Sequence, residues 1–128
     1  MKKRVLVIED HEENRRILRY LLASGGLEMI EAVTGEEGLA AAEKERPDLI
    51  LMDIQLPGLD GYEATRRIKA NPALRHIPII VVTSYALSGD DTKAFEAGCD
   101  AYVTKPFVPR DLLAKVREYL ARGVEGSP

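Results

Sequence analysis

Five short apolar runs, at residues 4–9, 27–33, 48–53, 77–84 and 101–104, alternate along the chain with five amphipathic stretches. The runs are rich in Val, Ile and Leu and lack the strict alternation of a half-exposed strand, so each reads as a strand covered on both faces. Between them apolar residues recur at helical spacing. They are Ile17, Leu18, Leu21 and Leu22, then Leu39, Ala40 and Ala42, then Ala64 and Ile68, then Ala94, Phe95 and Ala97, and last Leu112, Leu113, Val116 and Leu120. Strands of this kind bury both faces only when helices lie on each side. The order βαβαβαβαβα therefore predicts an α/β fold, (βα)5, with a doubly wound five-stranded parallel sheet and right-handed crossovers.

The punctuation agrees. Thr34 and Glu37 have capping-box spacing, and Ser88 is placed to cap the fourth helix. Gly25-Gly26 and Gly98 stop helices, while Pro47 and Pro78 restart the chain before strands. At 128 residues the chain reads as one domain over residues 1–121 with a flexible C-terminal tail over 122–128. Such a length supports a core without disulfides or a structural metal. The net charge of −3 argues against a nucleic-acid or membrane-surface binder. No apolar stretch approaches the roughly 20 residues that span a bilayer, and with no signal-peptide pattern the expected location is cytoplasmic. Cys99 is the single cysteine, which leaves no disulfide framework or Cys-based zinc site. It reads as a small buried thiol.

The strand ends carry the chemistry. In such a sheet the working surface lies beyond the carboxyl ends of the strands. The first run ends in Glu9-Asp10, the third in Asp53, the fourth in Thr83-Ser84, and the fifth leads to Lys105-Pro106. Asp53 closes the run Leu49-Ile50-Leu51-Met52 and is followed by Pro57-Gly58 and Gly61. A carboxylate buried there among Ile and Leu would be costly, so it reads as a side chain held at the mouth of the sheet. Three neighbouring carboxylates repel one another unless cations intervene. Their all-oxygen donor set suits Mg²⁺, and with the Lys105 ammonium the charges of the site balance to zero. A phosphoryl group on Asp53 would bring about −2 of charge, which the metal, Lys105 and the Thr83 hydroxyl are placed to offset. These are the parts for in-line phosphoryl transfer to a carboxylate nucleophile.

Val7-Ile8-Glu9-Asp10, Leu51-Met52-Asp53 with Pro57-Gly58 and Gly61, Val82-Thr83-Ser84, and Tyr102-Val103-Thr104-Lys105-Pro106-Phe107 stand together in one chain. In these motifs the sequence resembles a response-regulator receiver domain of two-component signalling, single-domain regulators of the chemotaxis and cell-cycle (DivK) type included. The resemblance covers residues 3–121. It implies a flavodoxin-like, CheY-like sheet with strand order 2-1-3-4-5. It also implies that Asp53 is the phosphoacceptor, that Thr83 hydrogen-bonds the phosphoryl group and that Lys105 pairs with it. Mg²⁺ would be held by Asp10, Asp53 and the main-chain carbonyl of Gln55, with Glu9 acting through water. The Lys105–Pro106 bond would be cis. Tyr102 would be the aromatic switch, turning inward as Thr83 moves and altering the face made by the fourth helix, fifth strand and fifth helix. The implied partners are a sensor histidine kinase or histidine phosphotransfer protein and a downstream protein target read by that face. Lys93, Glu96, Arg110 and Arg117 are expected there, with a phosphorylation-dependent dimer left open. Gln55 and Tyr85 occupy positions that tune phosphoryl lifetime, and a bulky Tyr85 predicts slow decay.

Two other functions compete with this one. A pseudo-receiver scaffold commonly lacks the acceptor, the acidic pair or the lysine, and all are intact here. An aspartyl-nucleophile phosphatase wants a second aspartate two residues after the nucleophile, where this chain has Gln55. The reading is accordingly a phosphoacceptor signalling domain rather than an enzyme, and the initial Met and short polar tail favour a stand-alone regulator. His11 reads as a surface residue at a helix start rather than a metal ligand, and His76 as a loop residue. Arg66, Arg67 and Lys69 read as the wet face of the third helix.

Overall fold

The alternation of the sequence becomes ten elements: β1 (Arg4–Ile8), α1 (Glu12–Ser24), β2 (Glu28–Ala32), α2 (Gly35–Glu45), β3 (Leu49–Met52), α3 (Gly61–Ala70), β4 (Ile79–Thr83), α4 (Asp90–Ala97), β5 (Ala101–Thr104) and α5 (Pro109–Glu125). They come from a computed structural model that describes residues 2–84 and 90–125. Ser88 and Tyr85 lie outside the described residues. All strand pairs are parallel, and the sheet order is β2-β1-β3-β4-β5, as the resemblance implied.

Each strand divides its side chains between two cores. Val5, Val7, Leu49, Leu51, Ile80 and Val82 pack under α1 and α5, through Leu18, Leu21, Leu22, Leu112, Val116 and Leu120. Leu6, Ile8, Ile50, Met52, Ile79 and Val81 pack under α2, α3 and α4, through Ala42, Ala64, Ile68 and Ala94. That two-sided burial explains why the strand runs showed no polar alternation. The helix stripes are narrower than the sequence suggested. Ile17 and Phe95 are each half exposed, because α1 and α4 reach their cores through the next residues round, Leu18 and Ala94.

Local chemistry sets the boundaries. Thr34 Oγ1 accepts from Glu37 N at 3.0 Å, and the Glu37 carboxylate reaches back to Val33 N at 3.2 Å, completing a cap at the start of α2. Asp60 caps α3 through Glu63 N at 2.9 Å. Gly26 (φ 76) and Gly98 (φ 110) adopt left-handed conformations after α1 and α4, where glycine alone has no steric cost. The helix α5 continues to Glu125, into the stretch from 122 onward that was expected as a tail. Cys99 is buried, and its thiol is pushed up to about 11 by that burial and by the charge of Asp100, so it is a thiol at neutral pH.

Lys69 departs from the expected wet face. Its long apolar stem lets the ammonium cross to the turn after α3, where it bonds the carbonyls of Arg75 (3.1 Å) and Ile77 (2.8 Å) and Asp100 Oδ2 (3.0 Å). The same Asp100 oxygen accepts from Ile79 N at 2.8 Å. One ion pair thereby ties the start of β4 to the turn before β5. Arg66 and Arg67 stay exposed, sharing Glu63.

Candidate phosphoacceptor site

The sheet order reverses between β1 and β3: the chain leaves β1 for the edge strand β2 and returns to the other side of β1. Crevices at such switch points are where open α/β sheets bind ligands. Ile8 pairs with Met52 in register, so the residues after the two strands emerge side by side, and Asp53 N donates to Ile8 O at 3.0 Å. Glu9 follows β1 and Asp53 follows β3. The turn after Asp53 is kept tight by Gly61, whose N–H bonds Ile54 O at 2.9 Å. A Cβ on Gly61 would fall 2.2 Å from Asp53 O. Only a glycine lets α3 begin so close to the turn after β3.

Glu9, Asp53 and Thr83 are the buried polar residues of this rim. Lys105 comes from the loop after β5, its N–H held by Thr83 O at 2.8 Å, and the Lys105–Pro106 bond is cis. Its Nζ stands 2.7 Å from Glu9 Oε1 and 3.3 Å from Asp53 Oδ2. Asp53 Oδ1 accepts from Gln55 N at 3.1 Å.

The two buried carboxyls divide their ionisation. Burial works against charging Glu9, but the Lys105 ammonium, the proton shared with Asp53 and the His11 N–H outweigh it and hold its carboxyl at about 2. Asp53 is pushed up to about 6, first by burial and then by the hydrogen bond with Glu9 and its charge, against the pull of Lys105 and Gln55 N–H. Glu9 thus stays ionised while Asp53 titrates close to neutrality.

A divalent cation suits what remains. Asp10 Oδ1 is buried and makes no hydrogen bond among the described residues. Such an acceptor is costly to leave unmet. One donor atom each from Glu9, Asp10 and His11 lie within 4.8 Å of one another. His11 is exposed and stands at a helix start, as the sequence reading had it. It is the N-cap of α1, and its Nδ1 is 3.2 Å from both Glu9 Oε2 and Asp10 Oδ1. Its position next to the acidic pair was the only available signal. Arg15 was missed altogether; from the first turns of α1 its guanidinium donates to Glu9 O at 2.9 Å.

Tyr102 pairs in register with Val81, and Thr83 with Thr104. Val81 and Tyr102 both pack on the α2–α4 side of the sheet, and Thr83, two residues after Val81, continues that parity. The charges expected near this face are dispersed. Lys93 and Glu96 line a cleft with Asp60, Tyr62 and Arg66, between α4 and α3. Arg117 turns the other way, its Nη2 3.4 Å from Gly25 O beside α1. Residues three or four apart on a helix share a face, but which neighbour that face meets is a tertiary outcome.

Residues 5–117 match the response regulator receiver domain. The chain belongs to that family. This receiver domain is 45% identical over 121 residues to the polar-differentiation response regulator DivK of Brucella anthropi, covering 94% of this chain and 98% of that protein. The DivK of Brucella ovis is 44% identical over the same shares. Among solved structures, a CheY-like receiver domain protein from Methanospirillum hungatei superposes with a TM-score of 0.92 at 34% identity, covering 99% of this chain and 100% of that one. The receiver domain of a sensor histidine kinase from Pseudomonas aeruginosa, solved with a magnesium ion in its active site cleft, gives 0.88 at 36% identity, covering 94% and 99%. Receiver domains are signalling domains of two-component systems. No helix among the described residues is long and apolar enough to cross a membrane.

Proposed function

We propose that this receiver domain works as a cytoplasmic single-domain response regulator, taking a phosphoryl group from a phosphohistidine onto Asp53 with Mg²⁺ bound. The donor is a sensor histidine kinase or a histidine phosphotransfer protein. The observation that carries this reading is the Lys105 ammonium between Glu9 Oε1 (2.7 Å) and Asp53 Oδ2 (3.3 Å) at the switch point of the sheet.

A carboxylate oxygen of Asp53 attacks phosphorus, the P–N bond of the donor breaks, and the imidazole leaves with the electron pair. Asp53 has to be ionised to attack, and a carboxyl near 6 is mostly so at neutral pH. Lys105 moves its charge from the carboxylates to the phosphoryl oxygens, and Thr83 donates its hydroxyl to another. Asp10, Asp53 and the Gln55 main-chain carbonyl would hold Mg²⁺, with Glu9 acting through water, and the ion would supply positive charge against the transferring group. Catalysis here is positioning and charge compensation.

The new charge draws Thr83 inward, and Tyr102 on the same sheet side follows into the vacated space. The face of α4, β5 and α5 then presents a different surface to a protein target, a two-state element biased by a local charge event. Phosphorylation-dependent dimerisation through that face is read by size-exclusion chromatography of the phosphorylated protein.

Incubation with Mg²⁺ and acetyl phosphate, followed by intact mass, tests the reading. One phosphoryl increment is expected, absent from Asp53→Asn and from a chelated sample. No increment from acetyl phosphate or from a phosphorylated kinase would leave a protein-binding scaffold in its place.

A further inference from the structure

The acidic pair has a nitrogen donor beside it. His11 Nδ1 lies 3.2 Å from Glu9 Oε2 and 3.2 Å from Asp10 Oδ1. Ligands about 2.0–2.2 Å from an ion, on neighbouring corners of an octahedron, stand about 3 Å apart. The imidazole therefore holds the spacing of an adjacent ligand to both oxygens. Three further facts favour this over an ordinary surface histidine. Asp10 Oδ1 is buried without a hydrogen bond. Lys105 occupies the other Glu9 oxygen, Oε1, which leaves Oε2 turned to His11. The His11 ring makes no capping bond to α1, while its backbone N–H is fixed on Glu9 Oε2 at 3.1 Å, so the residue is anchored and its ring uncommitted to the helix.

We propose that His11 is a further ligand at the metal site, so that Glu9, Asp10 and His11 together take late first-row divalent ions through mixed oxygen and nitrogen coordination. Imidazole suits Ni²⁺ and Zn²⁺, whereas Mg²⁺ keeps oxygen ligands and water. His11 thus decides which divalent ion the site prefers, and a transition metal competes with Mg²⁺ at the place where the phosphoryl group is received. This rests on the metal site of the proposed function and adds a residue and an ion class to it.

The test is calorimetric titration of the untagged, metal-free protein with NiCl₂ and separately with MgCl₂. It compares the wild type with His11→Ala, Asp10→Asn and His76→Ala. His11→Ala is expected to weaken Ni²⁺ by about tenfold or more, the lower end of what groups around a metal contribute, and to leave Mg²⁺ within about twofold. Asp10→Asn weakens both ions, and His76→Ala weakens neither. In the wild type, paramagnetic Ni²⁺ broadens the His11 imidazole resonances before those of His76. Equal Ni²⁺ affinity in wild type and His11→Ala overturns the proposal. So does an equal loss of both ions in that variant, which means that His11 only steadies the carboxylates. In either case Mg²⁺ binding that is lost in Asp10→Asn leaves the receiver reading standing. A wild type that binds no Mg²⁺ removes both. Circular dichroism guards against misfolding, to which an exposed ring without a capping role contributes little.

Discussion

Lys105 Nζ meets Glu9 Oε1 at 2.7 Å, closing a contact between residues 96 positions apart in sequence. The pair is largely buried, with 15% of the lysine side chain and 3% of the glutamate exposed. Lys105 is also the cation nearest Asp53, so its removal strands two carboxylates. Lys105→Met should cost about 1.5–3 kcal/mol, the range for hydrogen bonds to charged groups, in urea denaturation with chelator present. Its phosphorylation by acetyl phosphate should slow at least about tenfold, the scale on which lost charge stabilisation acts.

Asp53→Asn should stabilise the metal-free protein at pH 7.5. The folded state raises the Asp53 carboxyl from 3.8 to about 6, so between those values it binds more protons than the unfolded chain. The stability linked to Asp53 is therefore full below about 3.8 and is lost as pH rises through about 6. Asparagine never ionises and escapes this loss. The variant's advantage should be ~3 kcal/mol above pH 7 and should vanish as pH falls below about 4. Thermal melts across that range in EDTA provide the check; a gain independent of pH would mean that ionisation of the buried Asp53 carboxyl is not its cause.

Gly61→Ala should damage stability and site together. The new methyl would stand 2.2 Å from Asp53 O and 2.6 Å from Ile54 Cα, both backbone atoms. Overpacking of this kind costs about 1–3 kcal/mol, and relief requires α3 to move away from the turn after β3. The expected result is a lower melting temperature and a reduced phosphorylation rate.

Asp100→Ala should separate stability from chemistry. It leaves Lys69 Nζ and Ile79 N without their shared oxygen, at the edge of the sheet opposite the strand ends that carry Asp53. A loss of about 1–2 kcal/mol is expected, with the acetyl phosphate reaction unchanged in the folded protein. Lys69→Met with Asp100→Ala in a double-mutant cycle measures their coupling. Additive losses would show that the pair does not act as one unit.

The sequence was most legible where a residue's role follows from its own surroundings in the chain. Alternating runs gave the strand and helix order, and Asp53 stood out because a carboxylate ended an apolar run. Thr34 and Glu37 announced a helix start because capping is local. Lys69 was misread for the opposite reason. On a helix it looks like solvent-facing charge, and only the turn at Arg75–Ile77 and the arrival of Asp100 give its ammonium a destination. The neighbours of Arg117, Lys93 and Glu96 were hidden in the same way, since a helix face is fixed by periodicity but its neighbour is not.

The sequence by itself determined the class of fold and singled out the candidate site residues, because both depend on side-chain type and short-range spacing. Burial of two-faced apolar strands leaves little choice but a helix-covered parallel sheet. Tertiary structure alone decided how those residues act on one another. Strand order 2-1-3-4-5 puts the ends of β1 and β3 side by side, and burial there splits two similar carboxyls to about 2 and about 6. Distance and dielectric set these interactions, and neither exists until the chain is folded.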